Sequence, residues 1–207
     1  MKPVIAIIIL SLALFYPLNT LTTANEGQHN SKNQKYANVF KPLDGKWKGK
    51  FYVYKNTRGQ QKQNPQPHNI SVKTLKQLPL KEVLVIDVEQ TYTSDDPYFQ
   101  RVIIKDTYTD EKGSKKTAKS KGVNKVENGR LLCIVNKPDE QVIHTGKTTG
   151  QNTIIWQRHV KEPLKIEYFK ETVEDDTYTI VGWGYYGDDD PRLSPRMWFY
   201  GLYFRLK

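Results

Sequence analysis

Alternation of apolar and polar positions with a period of two dominates the chain from residue 47 onward. Trp47, Gly49, Phe51 and Val53 fall on one side, and Lys48, Lys50, Tyr52 and Tyr54 on the other. That is the signature of a strand with one buried face. Weak alternation over residues 69–76 predicts a second strand. Further strands follow over residues 81–93, 98–109, 115–126, 130–136, 141–148, 152–160, 164–173, 177–186 and 196–206. Turn chemistry separates them: Ser94-Asp95-Asp96-Pro97, Asp110-Glu111-Lys112-Gly113, Lys137-Pro138-Asp139, Thr149-Gly150, Glu162-Pro163 and Glu174-Asp175-Asp176. Asn128-Gly129 is the strongest signal, because a type I′ hairpin needs positive φ at both central residues. No sustained 3.6-residue apolar period and no internal repeat is present. The pattern predicts an all-β fold: a single antiparallel up-and-down barrel of about eight to ten strands.

Gly45-Lys46-Trp47, preceded by Pro42-Leu43-Asp44, resembles the Gly-x-Trp signature that opens lipocalins and related calycin-type barrels. The wider Gly45-Lys46-Trp47-Lys48-Gly49 is also similar to the start of nitrobindin-like and fatty-acid-binding-protein-like barrels. The resemblance implies a calycin-like barrel with Trp47 plugging its narrow end and a small, largely apolar ligand inside. It also implies a basic residue from the last strand over that Trp, and Arg205 stands in the matching place. A guanidinium over an indole is a favourable pair. A second lipocalin signature and the Arg-x-Tyr clamp of fatty-acid-binding proteins in its usual order are both missing.

The chain's ends and charge add context. Residues 1–24 carry one charge, Lys2, an apolar run from Val4 to Phe15 broken only by Ser11, and Thr22-Thr23-Ala24 at the exit. They read as a secretory signal peptide, which predicts a secreted or periplasmic protein. The run falls short of the ~20 apolar residues of a membrane span, and no later stretch is apolar enough for one. Residues 25–39 are polar and read as a flexible leader, leaving residues 40–207 for the barrel domain. The formal net charge of +10 suits anionic surfaces such as phospholipid head groups or acidic polysaccharide. Cys133 is the single cysteine, so no internal disulfide forms, and its alternation with Leu131 and Val135 marks it as a small core residue.

Candidate chemistry is sparse. Aromatic residues concentrate at the two ends of the chain, which a closed barrel would make neighbours. Trp47, Phe51, Trp183, Tyr185 and Trp198 read either as core packing or as the lining of an apolar ligand cavity, in which Arg101, Arg158, Arg196 and tyrosines would orient an acid group of the ligand and Arg205 would stand over Trp47. The loop over residues 55–68 could serve as a lid or be a solvated insertion. Lys112, Lys115, Lys116, Lys119, Lys121 and Lys125 form one basic hairpin. It reads either as a protected edge or as a surface for docking anionic lipid or polysaccharide. Aromatic residues do not interleave with these lysines, so nucleic acid is not an expected partner. An enzymatic alternative, a lyase or isomerase, would need a titratable pair inside the barrel. Asp87 and Glu89 are its candidates, unless their face is the solvent side. No cofactor is required by any motif. A haem-binding barrel of the nitrobindin type would need one inward imidazole, for which His144, His159 or His68 could serve. No metal-ligand spacing is found, and Asp188-Asp189-Asp190 reads as a charged turn rather than a calcium loop.

Overall fold

The computed structural model describes residues 31–62, 70–137, 140–150 and 152–207. The signal segment, His29, His68 and Asn69 lie outside the described residues. Ten strands form one closed antiparallel barrel: β1 (Gly45–Asn56), β2 (Leu80–Asp96), β3 (Phe99–Thr109), β4 (Lys115–Glu127), β5 (Arg130–Asn136), β6 (Gln141–Thr148), β7 (Thr153–Val160), β8 (Lys165–Glu174), β9 (Thr177–Tyr186) and β10 (Met197–Leu206). Each strand pairs with the next, and β10 returns to pair with β1 from Lys46↔Leu206 to Lys55↔Met197. The expected up-and-down topology is therefore present, closed, and without an open edge. Asn128 and Gly129 take φ of 52° and 72°, as the β4–β5 hairpin requires.

Closure fixes which side of each strand faces in. Trp47, Gly49, Phe51 and Val53 point to the lumen, and the register carries that face around the wall. One tier runs Ile154, Glu171, Ile180, Gly201, Phe51, Ile86, Tyr108. Gly49 is required in the wall itself: a Cβ there would sit 1.9 Å from the Leu202 carbonyl oxygen.

The end near Trp47 is shut. Trp47 is wholly buried, donates its Nε1–H to the Leu43 carbonyl at 2.7 Å and meets Tyr178 edge-on. The Arg205 guanidinium lies 4.1 Å over its ring, and also donates to the carbonyls of Asp44 and Pro42. Residues 31–43 close the same end from below. A helical turn, α1 (Ser31–Gln34), leads to Tyr36, Val39 and Phe40, which pack on Val126, Leu131, Ile154 and Trp156. The segment expected as a flexible leader is thus docked from residue 31. Its polar anchor is Gln100, fully buried, whose Nε2 donates to Phe40 O and Asp44 Oδ1, both at 2.9 Å, while its Oε1 accepts from Asn124.

Residues 63–68 of the loop weighed as a lid lie outside the described residues. Further along the same connection, α2 (Val72–Lys76), capped by Ser71, forms where the alternation had predicted a strand. Ile70 and Leu75 bury against Trp183, Tyr185, Trp198 and Ile155 on the outside of the barrel. A helix is stable here because that outer wall offers an apolar patch for its one apolar side.

Candidate ligand-binding lumen

The lumen is layered. Above the Trp47 plug, Val88, Tyr92, Val102, Tyr178 and Tyr203 fill the narrow end. The gap left there, among Val39, Pro42, Leu43, Asn152, Ile154, Glu171 and Val173, has a volume of only about 10 Å³. That is room for about one water, so nothing larger enters from this side. The middle is different. Phe51, Ile86, Ile104, Phe169 and Cys133 face inward yet remain half-buried rather than buried. Side chains enclosed by a closed wall keep accessible surface only if the interior has free space. Phe51 stacks on Phe199, Phe199 meets Phe169, and Phe169 meets the His144 ring, so an aromatic row climbs one wall toward the opposite end.

That opposite end is polar. His144 Nε2 lies 3.0 Å from Glu167 Oε2, and the Tyr186 hydroxyl donates to Glu167 Oε1 at 2.9 Å. Arg158 reaches both Glu167 (3.6 Å) and Glu140 (3.0 Å), and Lys165 also donates to Glu140 at 3.0 Å. Burial works to raise the Glu167 carboxyl, but the His144 and Tyr186 hydrogen bonds and the nearby positive charge outweigh it and hold it below the usual range. Glu140 is held low in the same way by Lys165 and Arg158. The network is a neutralised gate rather than a free positive clamp.

Glu171 sits deeper, in the tier of Phe51 and Ile86. Its Oε2 accepts the Trp156 Nε1–H at 2.8 Å. Burial pushes its carboxyl up to about 7, against the opposing pull of the Trp156 and Tyr178 side chains. Trp156 is placed by Gly146, where a Cβ would lie 2.5 Å from the indole. Burial and the Glu171 charge raise the Cys133 thiol, so it is a weak nucleophile.

Of the residues expected to bind a ligand, Trp47, Phe51, Arg158 and Arg205 share the inward face, with Trp47 and Arg205 in the plug and Arg158 in the gate. Trp183, Tyr185 and Trp198 do not line the cavity. They have the opposite parity and lie on the outer wall beneath α2. Arg101 points outward to Asp95, and Arg196 pairs with buried Asp189 at 2.8 Å in the β9–β10 turn. Asp87 and Glu89 are also outside, bridged to Lys50, Lys48 and Lys105. The inward set of β2 is instead Ile86, Val88 and Gln90, because their partners on β1 are Phe51, Gly49 and Trp47. Lys115, Lys119, Lys121 and Lys125 share the outer face of β4. Lys116 has the other parity and pairs with Asp110, and Lys112 sits in the turn.

His144 faces inward with Nε2 engaged by Glu167, and His159 faces out. The one described inward imidazole therefore does not offer its Nε2 freely to a haem iron. Among the described residues no three His, Cys, Asp or Glu side chains cluster as a metal site, and no helix is long and apolar enough to cross a membrane. An open cleft of about 540 Å³ lies outside the barrel between residues 35–42 and the β6–β7 turn. Glu171, Glu167 and Glu140 were missed as site residues. The first two share one face of the 164–173 alternation with Phe169, but Lys170 on the other face leaves that pattern without a clear inward side.

No protein-family model matches the chain, and no curated protein matches its sequence.

Proposed function

We propose that this protein is an exported barrel that holds a small, largely apolar molecule in its lumen. The observation that carries the reading is the half-buried state of Phe51, Ile86, Ile104, Phe169 and Cys133 inside a closed wall. The shut Trp47 end assigns entry to the His144–Glu167–Arg158 end. The Trp47–Arg205 pair and the β1–β10 closure support a calycin-like relationship. The test is titration of delipidated protein with Nile red, a neutral dye whose emission shifts blue in apolar surroundings. Saturable one-to-one binding is expected. Ile104→Trp, which fills the lumen, weakens it tenfold or more, while Ile103→Trp, on the exposed outer face, leaves it unchanged. Absence of saturable binding, or equal effects of the two variants, refutes the reading.

A second reading adds to the first. Lys115, Lys119, Lys121 and Lys125 share one outer strand face, next to exposed Ile103. That combination suits contact with an anionic surface. Sedimentation with phosphatidylglycerol vesicles at low salt, reduced by Lys119→Glu with Lys121→Glu, checks it.

A further inference from the structure

Glu171 is the feature the ligand-binding reading leaves unused. Every other inward carboxylate of the gate has a cation: Glu167 has Arg158, and Glu140 has Arg158 and Lys165. Glu171 has the Trp156 indole N–H as its hydrogen-bond partner and no ion pair. The groups packed toward it are Tyr92 from β2, Cys133 from β5, and Tyr178 and Tyr203 from β9 and β10. The Tyr178 hydroxyl, buried beside Glu171, joins the indole in favouring the carboxylate's charged form. Asp106, across the lumen on β3, has no ion pair among the described residues beyond the more distant charge of Lys137, and its charge is felt at Tyr203 as that of Glu171 is. The chain as a whole is strongly basic, yet among the described residues Glu171 has no lysine or arginine paired with it, and Asp106 feels only the charge of Lys137. An uncompensated carboxylate in an apolar enclosure is costly, and a cation that reaches it recovers that cost.

We propose that Glu171 receives the ammonium group of an aliphatic or aromatic amine, inserted amine-first from the His144–Glu167 end, with its apolar body along Phe51, Phe199 and Phe169. This inference rests on the lumen-binding reading. The indole N–H holds the carboxylate oxygen Oε2, and the ammonium joins the carboxylate beside the Tyr178 hydroxyl. Glu171 is then the residue that selects amines over acids of the same length.

The test is displacement of Nile red by decylamine, 1-decanol and decanoic acid at pH 8. Decylamine should displace the dye at a tenfold or more lower concentration than either rival. Glu171→Gln should erase that advantage while Nile red itself still binds. In the wild type, the advantage should shrink from pH 8 to pH 5 as Glu171 takes up a proton, and the tyrosines and Cys133 stay neutral throughout because burial raises them. This pH arm decides the matter if the variant fails to fold. Equal displacement by the three compounds, or an amine preference that survives in Glu171→Gln, overturns the proposal and leaves the lumen-binding reading standing. Failure of Nile red to bind the wild type removes both.

Discussion

Replacing Glu171 by Gln should change how stability depends on pH, and the size of the change follows from the site. In the unfolded chain this carboxyl ionises near 4.5, and in the folded barrel burial holds its proton to about 7. Between those values the folded state binds more protons than the unfolded state, so the wild type loses stability as pH rises through the window. At 1.36 kcal/mol per unit, the full cost above pH 7 is about 3 kcal/mol. Gln keeps an acceptor for Trp156 Nε1 and never ionises, so it escapes that cost. Urea denaturation at intervals from pH 4 to pH 8 measures it. The difference in unfolding free energy, variant minus wild type, should climb by about 3 kcal/mol from pH 4 to pH 8, with most of the climb between 4.5 and 7. A constant offset at low pH, from the extra amide donor, does not affect the slope. A flat difference across the range would mean that Glu171 is solvated like an ordinary carboxylate, and the enclosed lumen would lose its main electrostatic support.

Gly49→Ala should prevent folding or cost more than about 4 kcal/mol, since the new Cβ meets the backbone oxygen of Leu202 rather than a side chain that can move. Circular dichroism and soluble yield read the result. Arg205→Lys should destabilise by about 1–2 kcal/mol, because an ammonium does not reproduce the planar stacking on Trp47 together with donation to two carbonyls. Thermal melting checks this, and an unchanged Tm refutes it. Gln100→Leu strands the Phe40 carbonyl and the Asn124 amide in a buried place and should cost about 2–3 kcal/mol. Hydrogen exchange should then rise first in residues 36–44, the segment that Gln100 holds to the barrel. Arg158→Met takes the guanidinium from Glu167 and Glu140, which keep His144 and Lys165, and should cost about 2 kcal/mol at pH 7, with the cost shrinking as falling pH protonates the two carboxyls.

Period-two alternation reports that a strand has two unlike faces, and it names the strands well. All ten observed strands begin within two residues of the alternation that predicts them, and β2 carries a bulge at Val83, opposite Val53 and Tyr54. What alternation reports less well is which face is inside. On β2, Val83 and Val85 share their side with Asp87 and Glu89, while Leu84, Ile86 and Val88 share theirs with Gln90. Only pairing with Trp47, through Gln90, breaks the tie. On β9 the ambiguity is stronger, because both faces are apolar. Tyr178 and Ile180 pack in the lumen, and Val181, Trp183 and Tyr185 pack outside under α2. A Trp in a strand signals burial, but burial under an external helix and burial in a lumen look alike along the chain. The helix that creates the second buried face is five residues long, too short to show a 3.6-residue period, and lies where alternation was weakest.

The interior carboxyls are hidden along the chain, while the exterior ones stand out. Asp87 and Glu89 stand one residue apart from valines, so they look like charges set among core positions. Cross-strand lysines at 2.7 Å and 3.2 Å satisfy them on the solvent side. Glu167 and Glu171 lie on a strand, Lys165–Glu174, where charged residues occur on both faces, so neither looks out of place. Their roles come from contacts distant in sequence: Glu167 with His144 and Arg158, Glu171 with Trp156. Closure gathers those partners onto a single wall, and closure depends on the β1–β10 pairing rather than on any local pattern. An interior with a neutralised gate and an unneutralised floor is therefore a property of the closed barrel, and it is the arrangement that a molecule apolar along its length and basic at its leading end would complete.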